Sequence, residues 1–177
     1  QRALEAACTQ LILRHPALRT AYAWEGKQPI RVELPSVDVV VRTHDAYEWS
    51  DEQIQSFVRE RADEAFDLSV GQVIRFHLLH TDQGDVLAIA MHHIAADLWS
   101  MDILIQELQT LYVHHANGAP VSLTPLSGSF DSYVQWENNL DQTDEGTRLW
   151  DYWRTKLEDA PQVLDLPTTW ARPSEQT

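Results

Sequence analysis

Cysteine is almost missing from this chain: Cys8 is the single one in 177 residues. An internal disulfide framework and a cysteine-based zinc site are therefore excluded. Positive charge is scarce too, with 13 Lys and Arg against 27 Asp and Glu and a formal net charge of −14. Such an acidic surface repels phosphate, which argues against nucleic acid and anionic membrane as partners. Apolar runs are short, well below the roughly 20 residues a membrane-spanning helix requires. No signal peptide opens the sequence, and neither internal repeats nor low-complexity tracts interrupt it. A cytoplasmic location is the expectation.

What remains is the composition of a packed domain, or of one lobe of a larger one. Hydrophobic residues make up 44% of the chain, and seven Trp are many for this length. Some of those indoles should cover apolar surface or line a cleft. The opening QRALEAACTQLILRH begins without Met and is already in helical period, with Leu4, Cys8, Leu11 and Ile12 on one face. It reads as a segment of a longer protein, and the polar, proline-bearing ARPSEQT at the other end reads as a linker or cut end. Cys8, on that apolar face, reads as core filler.

Periodicity and turn chemistry predict a helix over 1–14 and three strands near 18–24, 29–34 and 37–43, separated by EGKQP and LPS. Ser50 should cap a helix over 51–65, with Glu52 and Gln53 early in it. VIRFHLLH and DVLAIAM form a hairpin around TDQGD, with an alternation that leaves one face polar. A long helix over 99–116 should turn Ile103, Leu104, Leu108 and Leu111 inward and stop at NGAP. Helices near 129–140 and 145–158 follow. The order α-β-β-β-α-β-β-α-α-α points to an α/β sandwich, with helices packed on a mixed sheet.

Chemistry concentrates in MHHIAADLWS, residues 91–100, where a strand gives way to the long helix. Neighbouring His92 and His93 should face opposite ways at a strand end. Asp97, entering the helix, can accept backbone N–H groups at its N-terminus or pair with a buried arginine. One imidazole could then act while Asp97 fixes the turn that aims it. A plain packing role stays open beside this. A metal is disfavoured, because His93 and Asp97 supply two ligands and His92 points away. His114 and His115, near the end of the long helix, read as solvated residues that suit its dipole. Ser100 lacks the strained glycine elbow of a nucleophilic serine.

MHHIAADLWS resembles the HHxxxDG signature of the condensation domains of nonribosomal peptide synthetases, in the chloramphenicol acetyltransferase-like superfamily. RHPALRTAY at 14–22, AFDLS followed by GQVIRFHLL, FDSYVQW at 130–136 and YWRTKLEDAPQVLDLPTTWARP at 152–173 resemble further family segments in the family's order. The resemblance implies a chloramphenicol acetyltransferase-like α/β sandwich lobe, here the N-terminal one over 1–177. The segments before it and the second lobe would lie outside the chain. The active site would sit in a tunnel between lobes, fed from both mouths by acyl or peptidyl carrier proteins. Their phosphopantetheine arms would deliver substrate, with no cofactor or metal bound directly. By the same resemblance, His93 is the catalytic or orienting histidine and His92 the more structural one. Asp97 would hold the turn through a salt bridge, with Arg14 and Arg19 as candidate partners. Leu98, Trp99 and Ser100 would line the tunnel.

Two positions depart from the pattern. Leu98 stands where the family has glycine, so that the tunnel is narrower there or the turn is reshaped to point the side chain aside. Pro16 replaces the glutamate of RHE. The implied reaction is acyl transfer that forms an amide between a carrier-bound thioester and an aminoacyl acceptor. Ester-forming, starter-acylating and epimerising variants, a stand-alone acyl-CoA-dependent transferase, and a non-catalytic recruitment module are the alternatives.

Overall fold

A computed structural model describes residues 1–161 and Pro167. The segment QVLDL and the stretch from Thr168 onward, within the last family-like segment and the proline-bearing end, lie outside the described residues. The chain divides into two units, Gln1–Phe130 and Asp131–Thr177.

The first unit opens with α1 (Arg2–Arg14), whose buried Leu4, Ala7, Cys8, Leu11 and Ile12 recur at three- and four-residue spacing. Pro16 ends the helix. It forces His15 into extended backbone, and a 3-10 turn over Pro16–Arg19 follows. β1 (Thr20–Glu25) and β2 (Gln28–Glu33) form an antiparallel hairpin closed at Glu25–Gln28, with Gly26 at φ +63°. This hairpin is a sheet of its own.

The second sheet has the order β3-β4-β5, built from β3 (Val41–Asp45), β4 (Ile74–Thr81) and β5 (Gly84–Met91). β3 runs parallel to β4, and β5 antiparallel to it, so the sheet is mixed as expected. The third strand starts later than 37. Its register sets Val41 against Phe76, which would place Val37 opposite Gln72, before β4 begins. Val37 and Val39 keep their apolar contacts with the core without pairing.

β4 is the central strand, and it is buried on both faces. Ile74, Phe76 and Leu78 join Leu104, Leu108 and Leu111 of α3 (Leu98–Asn117) and the buried stripe of α1 in one core. The opposite face carries the polar residues that alternation predicted, and it is buried as well: Arg75 is 8% and His77 1% exposed. α2 (Asp51–Asp63) supplies Phe57 against His77 there. Ser50 and Gln53 close the capping box at its start. A strand buried on both sides is the rule in sandwiches with helices on each face.

α3 stops at Gly118 (φ +70°), whose N–H bonds to the His114 carbonyl. Its inward stripe is Leu104, Leu108 and Leu111. Ile103 was expected beside them but is 53% exposed, because one helical step turns it some 100° from Leu104. His114 is half-buried and bonds the Ala119 carbonyl at 2.5 Å, while exposed His115 reaches Gln10.

α4 (Phe130–Leu140) begins at the boundary, and a three-residue turn joins it to α5 (Asp144–Leu157) in the second unit. Thr143 caps α5 through the Gly146 N–H. A Cβ at Gly146 would lie 1.8 Å from the Leu140 carbonyl oxygen, so only glycine fits this close approach.

Candidate active site at the β5–α3 turn

β5 ends at Met91, and α3 starts at Leu98. The six residues between carry both histidines and Asp97. The His92 N–H donates to the Val73 carbonyl at 2.9 Å, which ties the start of the turn to the chain just before β4. The Ala95 N–H returns to the His92 carbonyl at 3.0 Å and closes the turn. His92 Nδ1 accepts from the Ile94 N–H at 3.0 Å, so its proton sits on Nε2. The His92 ring also meets Phe66 edge-on, with centroids 5.9 Å apart.

His93 has a different environment. It is exposed, and its side chain has no hydrogen bond, ion pair or ring contact among the described residues. The two imidazoles thus differ: His92 is engaged by Ile94 and Phe66, and His93 has no side-chain partner among the described residues.

Asp97 caps α3. One carboxylate oxygen accepts from the Ser100 N–H at 2.8 Å and from the Ser100 hydroxyl at 2.7 Å. Ser100 Oγ in turn accepts from the Asp97 N–H at 3.3 Å, completing a reciprocal capping box. The hydrogen bonds from the Ser100 side chain and backbone hold the Asp97 carboxyl below its ordinary range. Leu98 is the first residue of α3 and is 83% exposed, with Trp99 equally open. Leu98 is not among the residues with positive φ. The turn accepts leucine without backbone strain and directs its side chain outward. Ser100, expected to line a tunnel, serves the cap.

Among the described residues, no ion pair joins Asp97 to an arginine. Arg14 instead binds Glu107 in bidentate fashion, Nε to Oε2 at 3.0 Å and an Nη to Oε1 at 3.1 Å, and also donates to the Thr124 carbonyl. His15 adds a third contact to Glu107 at 2.6 Å. Arg19 pairs with Glu33 at 2.7 Å and donates to the Leu34 carbonyl. The reason is distance along α3. Glu107 lies ten residues beyond Asp97, about 15 Å at 1.5 Å per residue, and Arg14 meets the helix there. Burial pushes the Glu107 carboxyl upward, but the bonds from Arg14 and His15 outweigh it and hold the group below its ordinary value.

Arg75, which sequence reasoning did not single out, is connected to the histidine turn through Phe66. Its guanidinium lies 3.8 Å over the Phe66 ring and donates to the carbonyls of Glu64 (2.8 Å) and Ala65. The signal was available: Arg75 is a charged residue between the apolar Ile74 and Phe76 of a strand. His44 and His77 form a second pair that was missed, Nε2 to Nδ1 at 3.0 Å, stacked beside Phe57. Among the described residues no three His, Cys, Asp or Glu side chains are placed to hold a metal. No described helix is long and apolar enough to cross a membrane.

A mixed sheet with helices on both faces, and a histidine turn leading from its edge strand into a long helix, define an α/β sandwich lobe. The comparisons narrow that class. The Condensation domain family model matches residues 1–177, and the chain belongs to that family. It is 34% identical over 180 residues to malpinin synthetase of Mortierella alpina, across 100% of this chain and 2% of that protein. Among solved structures it resembles the X-domain in its complex with OxyB from teicoplanin biosynthesis, with 28% identity and a TM-score of 0.83. That match covers 97% of this chain and 38% of the other. The epimerization domain from the third module of tyrocidine synthetase B shares the fold, with a TM-score of 0.84 at 22% identity, over 97% of this chain and 40% of that one. The chain thus spans a few per cent of its synthetase relative and about two-fifths of the solved chains.

Proposed function

We propose that the domain containing this chain forms an amide between a carrier-bound acyl thioester and an amine presented on a second carrier. The observation that carries the reading is the exposed, unpartnered His93 imidazole, on a turn whose His92, Asp97 and Ser100 are already engaged. The amine nitrogen attacks the thioester carbonyl, and His93 takes the proton that nitrogen loses. As the tetrahedral intermediate collapses the C–S bond breaks, and the imidazolium returns the proton to the departing thiolate. An imidazole suits both transfers near neutral pH. General-base assistance contributes about 10²–10⁴-fold, and holding two tethered reactants together contributes as much or more.

In this reading the partners are acyl or peptidyl carrier proteins, the second lobe of the domain and the neighbouring synthetase domains, in the cytoplasm. The phosphopantetheine arms belong to the carriers, and the chain holds no cofactor of its own. The 177-residue chain alone, with half its tunnel wall, is inactive. The test loads the intact domain with candidate acyl and aminoacyl carriers and follows the acceptor carrier by intact mass spectrometry. Product mass is expected from the wild type, and His93→Ala should lose it while keeping its circular dichroism. Undiminished product from His93→Ala would overturn the assignment.

A second reading, a recruitment module without catalysis, is supported by Leu98 in place of glycine and by the likeness to an X-domain solved with a bound protein. Failure of every carrier pair to yield product, with a carrier or second protein still bound, would favour it.

A further inference from the structure

Resting on the reading of His93 as the reacting imidazole, we infer that Phe66 and Arg75 are positioning residues, which hold the His93 turn through His92. Arg75 sits on the central strand and is 8% exposed. A buried guanidinium normally meets a carboxylate at hydrogen-bond distance. Here the nearest, Glu64 Oε2, is 3.6 Å away. The charge is satisfied instead by the carbonyls of Glu64 and Ala65 and by the face of Phe66. A desolvated cation over an aromatic face is a firm contact. It clamps the segment after α2 onto β4 and fixes the plane of the Phe66 ring.

The other side of the clamp is His92, whose ring stands at 83° to Phe66. Two attachments therefore define the first residue of the turn, its backbone on Val73 and its ring on Phe66. With the ring so held, Nδ1 faces the Ile94 N–H and closes a loop around the one residue between them, His93. A methionine could fill the volume of Arg75 without burying a charge. The guanidinium adds direction, which filling volume alone does not need. Without the Phe66 ring, His92 is free to turn about its Cβ–Cγ bond, the Ile94 bond opens, and His93 loses its aim.

Two measurements test this. In the 177-residue chain with 15N-labelled histidine, His92 should show one tautomer, protonated at Nε2. Phe66→Leu, which keeps apolar volume but removes the ring, should give a mixture. In the intact domain, Phe66→Leu and Arg75→Met should lower kcat about tenfold to a hundredfold with KM unchanged, since neither residue would touch substrate. Phe66→Tyr should restore most of it. A single Nε2 tautomer in Phe66→Leu, or its wild-type kcat, would overturn the inference. Should Phe66→Leu fail to fold by circular dichroism, Phe66→Met, which also removes the ring, takes its place in both measurements. His93→Ala runs in parallel. Undiminished turnover there refutes the role of His93 itself, whereas its loss beside normal turnover in Phe66→Leu refutes only the positioning.

Discussion

Glu107 is where the RHPALRT segment takes hold of α3, and its removal gives a quantitative test of that role. Its carboxylate accepts from Arg14 twice, at 3.0 and 3.1 Å, and from His15 at 2.6 Å. The side chains of Glu107, Arg14 and His15 are only 13%, 20% and 17% exposed. Breaking a buried pair by deleting one partner costs about 3–5 kcal/mol. Partial water access and the Thr124 carbonyl, which Arg14 keeps, reduce the expected loss for Glu107→Ala to about 2–4 kcal/mol. Glu107→Gln retains an acceptor but forfeits the charge, and bonds to neutral groups are roughly half as strong. About 1–2 kcal/mol is expected for it. With a urea slope of about 2 kcal/mol per molar, Glu107→Ala should lower the midpoint by about 1–2 M, read by far-ultraviolet circular dichroism. The pH dependence gives a second handle. The folded-state carboxyl lies below its ordinary value of 4.5, so its contribution is complete above that pH and is lost as pH falls through the folded value. Wild type should lose stability in that acid range faster than Glu107→Gln. A loss below about 0.5 kcal/mol for Glu107→Ala, in the range of an exposed ion pair, would refute the reasoning.

Two further outcomes rest on the same geometry. Burial first, then the neighbouring imidazole and the charges of Arg42 and Arg61, depress the proton affinity of His77; burial, Arg61 and Arg42 do so for His44. The unfolded chain therefore binds more protons as pH falls below 6.5, and stability should drop there; His77→Gln should flatten the drop in a urea titration at several pH values, and an unchanged slope would discount the pair. Asp97→Ala should raise amide exchange in the first turn of α3 while Asp97→Asn spares it, as for a cap; equal damage from both would point to a required charge instead.

The element order was legible because it rests on local signals: the Pro16 stop, the Ser50–Gln53 box, the Gly118 end of α3 and the turn between β4 and β5. The capping role of Asp97 was legible for the same reason, since the carboxylate acts three residues away. The polar face of β4 was legible from its period-2 alternation, but the burial of that face was not, because alternation reports chemistry rather than exposure. Arg75 and His77 are polar, yet Phe66 covers the first and Phe57 of α2 the second. Partners separated by many residues were not legible either. Arg14 and Glu107 are 93 positions apart, and α3 offers two acids, Asp102 and Glu107; only the packing of α1 along α3 selects the one at its middle.

Leu98 brings these two kinds of information together. The sequence raised two ways to accommodate a leucine where the family has glycine, and they differ in the backbone. A reshaped turn would have disturbed the bonds at both ends of the loop. Instead His92 still closes on Ile94, Asp97 still caps Ser100, and Leu98 takes its place as an ordinary first residue of α3. Glycine is not required there by conformation, so what the substitution alters is occupancy. Four carbons, 83% exposed, now stand five residues from His93 on the rim of the same turn. Under the proposed amide-forming reading, Leu98 would act by meeting what approaches His93 rather than by deciding whether the turn forms.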